Sequence, residues 1–208
     1  MRGSLLCAPC EIRLPWLPAA ICPGCGSAGP HATPRPRCAG ATGPLGELLA
    51  ACAFEGPVRR AVHALKYRGA RDHAPLLADL LARAVALKLG GIDVLVPVPL
   101  ATGRRRTRGF NQSELIACGV GERLGIPVAT DLVLRTRETD AQVGLGVAER
   151  RANVEGAFRC SRGARIAGRH LALLDDVTTT GATLRACAEP LMAAGAASVI
   201  GLAVAKEL

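Results

Sequence analysis

The chain has 208 residues, half of them hydrophobic and 21% charged, which excludes a wholly disordered polymer and suits one well-packed domain with a small appendage. Aromatics make up 2%, so the core has to be built from Ala, Leu and Val, and base-stacking surfaces are scarce. Twenty-six Lys and Arg against 17 Asp and Glu leave a net charge of +9, a balance that favours phosphate-bearing partners, either nucleic acid or phosphorylated metabolites.

Residues 1–44 hold five of the nine cysteines and eight prolines, with no sustained apolar periodicity, so this segment is expected to be a loop-rich module that needs a staple. Cys7 and Cys10, then Cys22 and Cys25, form two C-x2-C knuckles whose four thiolates suit a closed structural Zn2+ site. Cys38 stands alone, which leaves open a second set of Cys22, Cys25 and Cys38 with His31. Free thiols are the plainer reading. An odd number of cysteines, with a start that meets Cys and Pro before any apolar run, points to metal binding in a reducing cytoplasm rather than to disulfides. The isolated Cys52, Cys118, Cys160 and Cys187 read as small core fillers.

From residue 45 to about 89 the pattern is helical. Val58, Val62 and Leu65 share one face, and after Pro75 a second stripe collects Leu76, Leu77, Leu80, Leu81, Ala84 and Val85. Residues 92–98 read as a buried strand, followed by a loop crowded with Arg104, Arg105, Arg106 and Arg108, in which Gly109 and Phe110 suggest a lid. A helix is expected over 111–124, capped by Asn111 with Glu114 three positions on. Residues 171–174 form another short strand, then a Thr/Gly turn, then a helix carrying Leu184, Cys187 and Leu191 and ended by Gly195, and a last strand over 198–204. This alternation predicts an α/β fold with a mostly parallel sheet flanked by helices. The longest charge-free apolar stretch, residues 191–205, is broken by Gly195 and Gly201 and falls short of the roughly 20 residues a membrane span needs, so no membrane insertion is expected.

The segment Leu171-Ala-Leu-Leu-Asp-Asp-Val-Thr-Thr-Thr-Gly-Ala-Thr183 carries the sharpest chemistry. A turn with outward N–H groups, with Gly181 allowing close approach and a helix dipole behind it, favours a phosphate. Thr178, Thr179, Thr180 and Thr183 add hydroxyls, and Ala182 begins the helix. Asp175 and Asp176 would repel a phosphate but suit a ribose diol, directly or through a divalent cation. The plainer alternative is a helix cap with a Thr-rich turn.

This segment resembles the PRPP-binding motif of type I phosphoribosyltransferases, where PRPP is 5-phosphoribosyl 1-pyrophosphate. With Ala64-Leu-Lys-Tyr-Arg-Gly69, Leu95-Val-Pro-Val-Pro-Leu100, Arg108-Gly-Phe-Asn-Gln112 and Arg151-Ala-Asn-Val-Glu-Gly-Ala-Phe158, nearly the whole chain is similar to the ComF competence family. The resemblance implies a type I phosphoribosyltransferase fold over 45–208 behind a zinc-ribbon-like module over 1–44. It implies PRPP with Mg2+, the ribose hydroxyls on Asp175 and Asp176, the 5-phosphate on residues 178–183, and the pyrophosphate facing Pro97, Val98, Pro99 and Leu100. Residues 135–151 lie where the family has its flexible hood. Relatives often carry four C-x2-C knuckles; the two here leave open a decayed second ribbon and a mate of Cys7 and Cys10 upstream of a start assigned too far downstream. Lys66 belongs to a matching block without an assignable role.

Residues 101–170 hold thirteen Arg, no Lys and seven Asp or Glu, so this third of the chain carries six of the nine net charges. Arg104, Arg105, Arg106 and Arg108 fit a solvated loop, forks on the pyrophosphate, or a strip along single-stranded DNA. Two functions follow: a phosphoribosyltransferase of unknown acceptor, and a competence factor that binds single-stranded DNA or DNA-uptake proteins and uses the fold for ligand binding. No histidine pairs with a nucleophile in a hydrolase triad.

Overall fold

The computed structural model describes residues 6–17, 20–21, 43–138, 147–161 and 165–208. Cys22, Cys25, Cys38 and His31 lie outside them. A five-stranded sheet runs in the order β1 (Ala20–Ile21), β2 (Leu48–Ala53), β7 (Ser198–Lys206), β6 (His170–Thr178) and β3 (Val94–Pro97). The last four are parallel, and only β1 is antiparallel to its neighbour. Beyond β3 the sheet is extended by a bridge from Leu95 to Val128. This matches the mostly parallel α/β sheet expected from the sequence.

Alternation along the strands divides the core in two. Leu171 and Leu173 of β6 face a cluster with Leu184, Cys187 and Leu191 of α7 (Ala182–Ala193). Ala172 and Leu174 face the other side, against α3 (Ala74–Val85) and α5 (Gln112–Leu124). Strands buried on both faces lose the polar alternation of a half-exposed sheet. That is why residues 48–53, Leu-Leu-Ala-Ala-Cys-Ala, escape the sequence reading: the stretch expected to be helical from residue 45 opens instead with β2, buried throughout, and only then enters α2 (Gly56–Tyr67). The helical stripe of α3 is as expected, and Gly119 of α5 lets the two helices meet, since a Cβ there would lie 2.7 Å from the Cβ of Ala78.

Asn111 caps α5, its side chain accepting the N–H of Ser113, and its Nδ2 donates to the carbonyl of Val98 at 3.0 Å. The arginine-rich loop is in fact a helix, α4 (Thr102–Arg108), ended by Gly109 in the left-handed conformation. Arg105, Arg106 and Arg108 in its last turn complement the helix dipole. Phe110 is no lid. It is buried in the core with the Arg71 guanidinium 4.7 Å above its ring. Cys52 and Cys187 are buried as expected, whereas Cys118 is exposed and Cys160 half-buried.

The described part of the Cys-rich segment is tied to the sheet. α1 (Ala8–Ile12) carries Cys10 with Cys7 as its cap, Leu14 is buried in the main core, Trp16 bridges Cys52, and Leu17 N–H donates to Ala51. A small antiparallel pair, β4 (Val133–Arg135) and β5 (Phe158–Cys160), flanks the segment 135–151 expected to be the hood, α6 (Val147–Val154) begins within it, and residues 139–146 lie outside the described set.

Candidate functional site

Four parallel strands deliver their carboxyl ends to one edge, where ligands bind in open α/β sheets. β6 runs further than the sequence suggested. It continues to Thr178 because β7 pairs with it as far as Lys206, while β3 stops opposite Leu174. Asp175 and Asp176 are therefore strand residues that project past the end of β3, not turn residues after a strand.

Neighbouring strand positions point to opposite faces, and the two carboxylates part accordingly. Asp175 lines a cleft of about 280 Å³ together with Val177, Thr178, Thr179, Gly181, Ala182, Thr183 and Leu184. Its Oδ1 accepts from Ser113 Oγ at 2.9 Å and from the Asp176 N–H at 2.9 Å; neither bond uses Oδ2. Burial, followed by the neighbouring charge of Asp176, raises its pKa to about 6. Asp176 is not part of the cleft lining. It sits 3% exposed beneath α2, with its Oδ2 2.8 Å from the Nζ of Lys66. This ion pair gives Lys66 the role that its motif block alone did not disclose.

The turn that follows is held by two cations. Lys206 Nζ donates to the Thr179 carbonyl at 2.7 Å, and Arg185 Nη2 to the Thr180 carbonyl at 2.5 Å. The peptides that join Thr179, Thr180 and Gly181 are trans, so the N–H groups of Thr180 and Gly181 point away from the carbonyls that these cations hold. Gly181 caps α7 at φ +76°, and a Cβ there would come within 3.1 Å of Leu48 Cδ2. Thr180 Oγ1 is buried with no hydrogen-bond partner among the described residues.

Pro97 ends β3, and the Val98 N–H donates to Leu174, so the segment with Pro99 and Leu100 lies beside the start of the Asp175 site. The four arginines do not act as a unit. Arg104, Arg105 and Arg106 are exposed, and Arg105 reaches Glu114 at 3.6 Å. Arg108 is half-buried over the Tyr67 ring and bonded to Gln112 Oε1; burial pulls its pKa down, while the charge of Asp176 opposes that shift. Arg135 of β4, absent from the sequence-based site, lies over Phe158; burial lowers its pKa and the charge of Arg104 adds to the effect. Arg104, Arg108 and Arg135 thus bring positive charge to the same edge.

Sequence reasoning places Lys66 in a matching block without a role and does not single out Ser113, Arg135, Arg185 or Lys206 as site residues; Lys206 does leave a signal, a lone charge at the end of an otherwise apolar strand. Cys10 sits on α1 with Cys7 as its N-cap, and Arg60 of α2 lies beside the Cys10 thiol. The Cys10 backbone N–H and thiol lower the pKa of Cys7, and Cys7 in turn raises that of Cys10. Among the described residues no group of three or more His, Cys, Asp or Glu gathers as a metal site, and no helix is long and apolar enough to cross a membrane.

No family model matches the chain. It is 34% identical over 186 residues to DNA utilization protein YhgH of Salmonella typhi, covering 86% of this chain and 81% of the relative. It is 38% identical over 93 residues to competence protein F of Haemophilus influenzae, covering 44% of this chain and 41% of that one. Among solved structures it is similar to adenine phosphoribosyltransferase from Leishmania tarentolae, with a TM-score of 0.43 and 12% identity over 74% of this chain and 76% of the other.

Proposed function

The chain belongs to the ComF family of competence and DNA utilization proteins, and from that premise we propose that the cleft beside Asp175 binds PRPP together with Mg2+. The observation that carries this reading is the joining of two half-sites in one cleft. One half is a turn whose carbonyls are drawn back by Lys206 and Arg185 and whose helix dipole favours an anion. The other is a half-buried carboxylate whose Oδ2 takes part in neither of its two hydrogen bonds. A ribose 5-phosphate needs both.

In this reading the 5-phosphate takes the N–H groups of Thr180, Gly181 and Ala182 and the hydroxyls of residues 178–183. The ribose hydroxyls donate to Asp175. Asp176 acts from behind, fixing Lys66 and through it the end of α2. The pyrophosphate lies toward Pro97, Val98, Pro99 and Leu100, with Arg104, Arg108 and Arg135 as its countercharges. Asp175 Oδ2 is a hard oxygen donor of the kind Mg2+ takes, and the ion would supply further countercharge to the leaving pyrophosphate. Preorganised positive charge is the chain's own contribution to phosphoribosyl transfer. Calorimetric titration of PRPP with and without Mg2+ tests the reading. Asp175→Asn is the informative variant, because burial already disfavours the charge it removes. Magnesium-dependent binding lost in Asp175→Asn supports the site, and undiminished affinity in that variant removes it.

Cys7 and Cys10 fit two thiolate ligands of a structural Zn2+ in a reducing cytoplasm, with Cys22 and Cys25 supplying the other pair. Replacing Cys7 and Cys10 with Ser should lower the zinc content of the purified protein; full stoichiometry afterwards would move the site to Cys22, Cys25 and Cys38. A second function, contact with single-stranded DNA or uptake proteins, is favoured by the exposed Arg104, Arg105 and Arg106 on α4.

A further inference from the structure

The chain has three Phe, one Tyr and one Trp, and two of these five rings, Phe110 and Phe158, are buried. Two of the other three meet on one surface. Phe54 stacks on His63 with centroids 5.7 Å apart and planes 25° off parallel, and His63 meets Tyr67 edge-on at 5.4 Å. Arg59 lies 5.9 Å from the Phe54 centroid, and Arg108 lies 5.8 Å from that of Tyr67. Arg59, His63 and Tyr67 are four residues apart on α2, a spacing that puts them on one helical face. Val58, Ala61, Val62 and Leu65 take the opposite, buried face. Packing of α2 therefore does not require His63 or Tyr67, which is left 70% exposed, whereas Phe54 is half-buried against the core.

Both ends of the strip reach the carboxyl edge of the sheet. The Phe54 N–H donates to the carbonyl of Lys206, whose Nζ holds the Thr179 carbonyl. At the other end Arg108 responds to the charge of Asp176. α2 contains Arg59, Arg60 and Lys66 but no acidic residue; Glu55 is its N-cap and Arg68 its C-cap, so cations outnumber the one carboxylate around the rings.

We infer that Phe54, His63 and Tyr67 form a stacking platform for the bases of a single-stranded nucleic acid whose phosphates run along Arg59, Arg60, Arg68 and Arg108. Ring faces accept any base, and flanking arginines neutralise the backbone, so binding is sequence-tolerant and salt-dependent. A duplex keeps its base faces occupied and cannot use the platform. The inference deepens the DNA-handling reading and does not depend on PRPP binding.

The test is fluorescence anisotropy of the full chain with a labelled short oligothymidylate and with an abasic strand of the same length, which carries the phosphates without the bases. The intact protein should bind oligothymidylate at least about tenfold tighter than the abasic strand. The double variant His63→Ala, Tyr67→Ala should bind both strands alike, while Tyr67→Phe keeps the preference. A thermal melt of each variant reports whether α2 remains folded. Equal affinity of the intact protein for both strands would overturn the platform and leave a phosphate-only contact. Binding of neither strand would overturn the DNA-handling reading itself.

Discussion

Two charged regions share the carboxyl edge of the sheet, and they are built on opposite terms. The carboxylates of β6 are held by specific neighbours: the half-buried Asp175 by Ser113 and a backbone N–H, and the buried Asp176 by Lys66. The arginines at 104, 105 and 106 stand in solvent on a short helix whose dipole favours the last two of them. A buried charge costs several kcal/mol unless it is paired, so its position is fixed by specific neighbours. An exposed charge costs little and is free to meet whatever arrives. The first region suits a defined small ligand and the second a polyanion of variable form.

Breaking the Lys66–Asp176 pair should have the largest effect. Lys66→Met leaves a 3% exposed carboxylate without its counterion and should destabilise the protein by about 3 kcal/mol, read from urea unfolding. Adding Asp176→Asn should recover much of that loss, and an additive double variant would show that the pair is not coupled.

Next comes pH. Asp175 titrates near 6 in the folded protein against 3.8 ordinarily, so the folded state binds the proton more tightly than the unfolded chain. Its contribution to stability is full below the lower value and is lost as pH rises through the upper one. Ligand binding has the opposite sign, because a ribose hydroxyl needs the ionised acceptor. PRPP affinity should fall about tenfold per pH unit below pH 6 while the fold gains stability over the same window. A flat affinity profile from pH 5 to 7, in buffers spanning roughly that range, would remove Asp175 from the ribose contact.

The smallest effect belongs to the exposed region. Arg105→Ala breaks a 3.6 Å contact with Glu114 in which the arginine is 60% exposed, and should change stability by no more than about 0.5 kcal/mol. A larger loss in the same urea experiment would mean that α4 is held by its charges rather than tolerating them.

The two regions were also unequally legible in the sequence. The turn at residues 178–183 announces itself because its features are local: hydroxyls, one glycine and the start of a helix within a few positions. The Asn111 cap is legible for the same reason, as a side chain bonding a backbone N–H two positions on. The loop reading of α4 failed because a run of arginines looks like a solvated segment whether or not it is helical. β2 was hidden by its burial on both faces, which erased the alternation that marks a strand.

Local pattern thus determined the α/β alternation, the stripes of α2 and α3, the Asn111 cap and the Thr/Gly turn, because each depends on contacts within a few residues along the chain. Tertiary structure alone decided which carboxylate would face the cleft, that Lys66 would pair with Asp176, and that Ser113 would reach Asp175 from 62 positions away. It also gathered Phe54, His63 and Tyr67 beside Arg108. Those arrangements follow from the pairing of β6 with β7 and the packing of α2 over the sheet edge, and distance along the chain carries no trace of them.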